Sequence, residues 1–270
     1  MTDERKTIKD RIVNLLKGTG EVTAGAVEAA RDAIKSALEG ATYVASTTMG
    51  AVSSVVSGAL DAVGEIGTGL VDVVRGTVVG VVKGLGEIVT VTVGVISDTV
   101  RAALKGTHEV GSDMASAAAG IASGVIESTS DVGMGLTEAL TGLTSGVIKG
   151  ANDVGADVTA AVSGTVRGVV TGAKDIGADS LEAVTSTAAG LVRSTGEVGG
   201  DVAQVATAAI SGAIAGARDV GLSIEDAASA AATGAFNAAT EIGGSAVDAV
   251  TGVAKRGVDG VVAVIKRNGE

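Results

Sequence analysis

The chain has 270 residues, 46% of them apolar but only 1% aromatic, with 42 Gly, no Pro and no Cys. So few aromatics leave little to fill an ordinary globular core, and a net charge of −11 argues against nucleic acid, which needs a basic stripe. The lack of Cys fits a reducing compartment.

Residues 1–7 read as a charged tail of mixed sign, MTDERKT. The apolar stretch of a secretory signal is missing there, so the expected location is the cytoplasm, with no signal peptide and with membrane association left open. A helical pattern starts near Thr7 to Asp10. Ile12-Val13-Asn14-Leu15-Leu16-Lys17-Gly18 matches Val78-Val79-Gly80-Val81-Val82-Lys83-Gly84 further on. The longest charge-free run, between Glu39 and Asp61, is rich in Gly, Ser and Thr and makes a poor membrane span.

From Glu21 onward one interval governs the chain. Glu65, Glu87, Glu109, Asp131, Asp153, Asp175, Glu197, Asp219 and Glu241 follow one another every 22 residues. Glu21 lies two periods before Glu65, and Tyr43 takes the slot between them. Twenty-two is two elevens, and eleven residues make three slightly underwound helical turns. The unbroken phase predicts an all-α fold, with one very long helix over 8–266 and a short tail at 267–270. Such helices would assemble into a right-handed or nearly straight bundle, tube or filament. A helix of that length would be roughly 390 Å long.

Numbered from the acid, each residue advances about 98° around the helix. Charges at positions 1, 5, 8, 15 and 19 then form one stripe, with acids early in the unit and bases late. Lys83/Glu87, Lys105/Glu109, Lys149/Asp153 and Arg193/Glu197 are spaced for pairing one turn apart. The opposite arc is apolar and wider than a two-stranded seam. In one unit it holds Val154, Val158, Val162, Val166, Val169 and Val170.

Glycines keep the same register. Position 16 holds Gly58, Gly80, Gly124, Gly146, Gly168, Gly190, Gly212 and Gly234, and position 20 adds Gly84, Gly150, Gly172 and Gly216. These flank one edge of the arc and suit close approach of neighbouring helices. Position 3 holds Gly67, Gly111, Gly133, Gly155, Gly177, Gly199, Gly221 and Gly243, toward the other edge.

By its period over residues 8–266, the unit resembles the hendecad coiled-coil proteins, which form right-handed or nearly straight bundles. Segments such as Gly164-Thr165-Val166-Arg167-Gly168-Val169-Val170-Thr171-Gly172 are similar to the eleven-residue amphipathic repeats of perilipin-type lipid-droplet proteins. The first resemblance implies helical self-assembly and the second a lipid surface. Neither supplies site residues.

No catalytic constellation is visible. His108 is the only His and sits at the edge of the polar stripe without a nucleophile beside it in the pattern. Glu225 and Asp226 lack the converging oxygens of a cation loop, and no phosphate-binding loop is present. No enzyme activity, metal or cofactor is expected, beyond bound lipid. The sequence therefore points to a structural protein whose partner is itself, in assemblies of more than two helices joined by the glycine-flanked Val/Ala/Leu face. The alternative is a lipid-associated coat or a membrane-embedded helical assembly.

Overall fold

The 22-residue unit folds as one helix and one turn. In the computed structural model, which describes residues 22–38, 45–66 and 69–266, the described residues form eleven helices. They are α1 (Val22–Leu38), α2 (Ala45–Ile66), α3 (Leu70–Gly86), α4 (Val93–Glu109), α5 (Met114–Ser128) and α6 (Leu136–Val154). After these come α7 (Val158–Asp175), α8 (Ser180–Glu197), α9 (Val202–Val220), α10 (Ile224–Ile242) and α11 (Gly244–Arg256). The fold is all-helical, but the expected single helix over 8–266 is wrong. The start near Thr7 to Asp10 and the tails at 1–7 and 267–270 lie outside the described residues.

The error has a physical cause. A turn of constant length keeps the phase of a repeat as faithfully as continuous helix does. Glycine at position 3 is the stop signal. Gly155 has φ 62°, in the left-handed region that ends helices, and the N–H of Ala156 donates to the carbonyl of Ala151 at 2.9 Å. Position 5 is the start signal. Asp157 accepts from the N–H of Thr159 at 2.9 Å and of Ala160 at 3.3 Å, capping α7. Asp113, Asp179 and Asp201 cap α5, α8 and α9 in the same way.

Each helix from α1 to α10 packs mainly on the helix two places away, so the helices sort into an odd and an even layer. The layers run in register. Gly142, Gly146 and Gly150 of α6 lie against Val93, Ser97 and Arg101 of α4, climbing together. Helices of one layer are therefore parallel, and the intervening helix must return in the opposite sense. One continuous apolar cluster joins the layers, with Ile96, Leu104, Ile121, Leu143, Leu191 and Ile210 fully buried. Threonines enter this interior because each hydroxyl donates to its own helix. Thr165, for example, donates to the carbonyl of Ala161 at 2.7 Å.

After α11 the chain changes character. Val258 and Val261 pair around a tight turn, and the chain then runs extended to Lys266.

Candidate functional site

Two sets of repeated side chains give the stack its surfaces: the glycine flank and the charges at helix ends. The flank is used within the chain. Of the position-16 and position-20 glycines, all are buried except Gly190, which is half-buried. A Cβ on Gly168 would lie 2.2 Å from the carbonyl oxygen of Ala119, and one on Gly212 would lie 2.3 Å from that of Ser163. On Gly234 it would meet the carbonyl oxygen of Thr185 at 2.0 Å. Each contact joins residues 49 apart, which is two units plus five residues. Only glycine lets a helix backbone come so near its neighbour.

Position 12, which the helical wheel puts in the polar stripe, belongs to this flank as well. A Cβ on Gly164 would lie 2.0 Å from the carbonyl oxygen of Ala115, and one on Gly142 2.8 Å from that of Val93. The four-residue step from position 12 to 16 to 20 was the available signal. Position 3, in contrast, packs nothing: Gly111, Gly133, Gly155, Gly177, Gly199 and Gly221 have no atom within 4 Å of a would-be Cβ. They serve the turns.

Val162, Val166, Val169 and Val170 are fully buried. Val154 ends α6 and Val158 begins α7, and both are half-buried.

An acid at position 1 falls at a helix C-terminus, where the last carbonyls disfavour a carboxylate. Bases from the previous helix of the same layer offset this. Arg101 reaches Asp153 at 2.6 Å, Lys83 reaches Asp131 at 3.1 Å and Arg193 reaches Glu241 at 2.8 Å. Arg167 pairs with Asp219, and Arg31 and Lys35 both pair with Glu87. The partners of Lys83, Asp153 and Arg193 are thus two helices away along the chain, not one turn away. Hydrogen bonds from Arg31 and Lys35 hold the Glu87 carboxyl below its usual range, and the hydrogen bond from Arg193 does the same for Glu241.

Arg75 spans three helices of the odd layer, reaching Glu127 at 2.7 Å and Asp175 at 2.9 Å. Burial works against its charge, but the two carboxylates outweigh burial and raise its pKa.

Among the described position-16 and position-20 glycines, the flank loosens at Gly190. Gly190 of α8 faces the hydroxyl of Thr144, and a cleft of about 350 Å³ opens between α6 and α8. Thr141 and Thr144 in its lining donate to carbonyls of their own helix, and Arg193 is held by Glu241. No nucleophile and base are brought together there. His108 is exposed at the end of α4. Glu225 and Asp226 are exposed in the first turn of α10. Among the described residues no cluster of His, Cys, Asp or Glu could hold a metal ion, and no helix is long and apolar enough to cross a membrane.

Comparison with protein-family models gives no match, and comparison with curated proteins gives none at a significant level.

Proposed function

We infer that the chain is a structural protein, a stack of helical repeats that serves as a spacer or scaffold. The observation that carries this reading is the repeated glycine-to-carbonyl contact, with Gly146, Gly168 and Gly212 on Ser97, Ala119 and Ser163. Surfaces of this kind make a rigid body whose length follows the number of repeats, because each repeat is held by its neighbours. Self-packing, read from the glycines as contact between chains, is then satisfied between repeats of one chain. Filaments or tubes of several chains would grow through the ends of the stack, since the flanks are occupied.

Small-angle scattering with sedimentation tests this. The expected result is an elongated particle far shorter than the roughly 390 Å of a single helix. Association, where it occurs, should lengthen the particle without thickening it. Side-by-side association, or a particle that gains helicity only with liposomes and floats with them, would overturn the reading in favour of a lateral filament or a lipid coat.

A further inference from the structure

The last described segment occupies a place that the repeat reserves for a helix. In the odd layer, Ala119 and Ser123 of α5 receive Gly168 and Gly172 of α7, and Ser163 and Arg167 of α7 receive Gly212 and Gly216 of α9. In the even layer Thr185 of α8 receives Gly234 of α10. Forty-four residues after Thr185, the equivalent seat on α10 is Ser229, with Thr233 one turn on. Among the described residues no further even-layer helix follows to fill it. The extended segment fills it instead. The N–H of Val264 donates to Ser229 Oγ and the N–H of Lys266 to Thr233 Oγ1, each at 3.0 Å.

The match is geometric. A helix offers no free backbone groups along its side, so a strand can bond only to side-chain hydroxyls. Four helical residues rise about 6 Å, and two strand residues about 6.7 Å. Hydroxyls at i and i+4 therefore meet N–H groups at j and j+2. Alternation does the rest. Val258 and Ala263 are buried and Val261 and Ile265 pack on the core, while Val262 and Val264 point outward at 63% exposure.

We propose that residues 260–266 are a cap that takes the place of an even-layer helix and keeps α10 from pairing with a second copy of the chain. The occupant follows from what remains open. The corresponding flank at the other end of this layer is covered: Ser54 and Gly58 of α2, at positions 12 and 16, are buried. An uncapped α10 therefore finds its complement in the α10 of another molecule. Their small-residue ridges meet about a twofold axis, and the result is a tail-to-tail dimer. This rests on the stack-of-repeats reading, and it adds control over one stack end.

The test uses full-length variants in sedimentation velocity over a concentration series, with circular dichroism beside it. Ala263→Asp with Ile265→Asp places charge under the cap and should lift it. The expected result is unchanged helicity and twice the parent's mass, at concentrations where the parent does not change. Val262→Asp with Val264→Asp alters only the outer face and should behave as the parent. Excess peptide of the sequence Gly260–Lys266 should return the first variant to the parent's mass. The cap is overturned if the inner-face variant keeps the parent's mass with helicity intact, or if the outer-face variant associates equally. Should the inner-face variant lose helicity, Ser229→Ala with Thr233→Ala replaces it and is judged by the same outcomes. That pair removes both acceptors while favouring helix. A parent that stays single while the uncapped variant pairs removes native self-assembly and leaves the cap. A parent that associates as strongly as the variant removes the cap and leaves self-assembly.

Discussion

Gly168 lies so close to Ala119 that an added methyl would sit 2.2 Å from the carbonyl oxygen. Backbone cannot yield cheaply there, so Gly168→Ala should destabilise by about 1–2 kcal/mol, overpacking outweighing a helix-propensity gain of about 1 kcal/mol. Gly252 of α11 is the control, since its would-be Cβ meets only Arg256 Nη1 at 3.7 Å. Gly252→Ala should stabilise by roughly 0.5–1 kcal/mol. Urea midpoints followed by circular dichroism decide. Two substitutions of the same sign would show that the flank is not close-packed.

Gly155 tests the turn separately from the packing. Nothing crowds it, and its φ of 62° is the whole constraint. Gly155→Ala should cost about 1 kcal/mol, and Gly155→Asn clearly less, because Asn tolerates the left-handed region. Were Ala and Asn equivalent, the helix would not stop there as described.

Acid should weaken the caps. Hydrogen bonds from Thr159, hydroxyl first, and from the Ala160 N–H hold Asp157 below the ordinary value of 3.8. Ser116 lowers Asp113 likewise, side chain first and then backbone. A carboxyl lowered in the fold contributes stability above its unfolded pKa and loses it as pH falls through the folded value. The loss should therefore begin near pH 4 and continue downward. Asn still caps but does not titrate. Asp113→Asn with Asp157→Asn should thus match the parent more closely with each step below pH 4. Acid limbs that stay parallel would mean that these caps titrate normally.

Layer parity makes a prediction about length. Deleting residues 153–196 removes α7 and α8 and leaves α9 to seat Gly212 over Ala119. Helicity per residue should hold and the particle should shorten. Deleting 153–174 alone moves every later helix into the other layer and sets Ser186 of α8, not a glycine, against Ala115. This shorter deletion should lower the midpoint more, although it removes half as many residues. Equal loss would mean that the layers are interchangeable.

Much of the packing was legible. Val162, Val166, Val169 and Val170 are buried, as are Gly146, Gly168 and Gly212, because a single helical turn sets which side chains share a face, whatever the helix length. The helix boundaries differ from the expectation because Gly111 and Asp113 act at helix ends and not as points on one continuous wheel. Glycine two residues after the acid and Asp four after it are a stop and a start in their own right. The pairing of Arg101 with Asp153 was beyond sequence reasoning, since an unbroken helix puts such residues far apart.

The glycine-to-carbonyl contacts between helices join residues 53 apart at Gly80, Gly84 and Gly106 and 49 apart from Gly120 onward, and this nearly constant offset also sets a folding order. A helix leaving the ribosome finds its glycine seat on the helix made two places before it, so each seating closes a loop of only about 50 residues. Growth can proceed by accretion, each arrival completed before the next begins, as N-terminal segments fold first during synthesis. The extended segment at Val258–Lys266 emerges after every helix it touches, and so it settles on a stack that is already built.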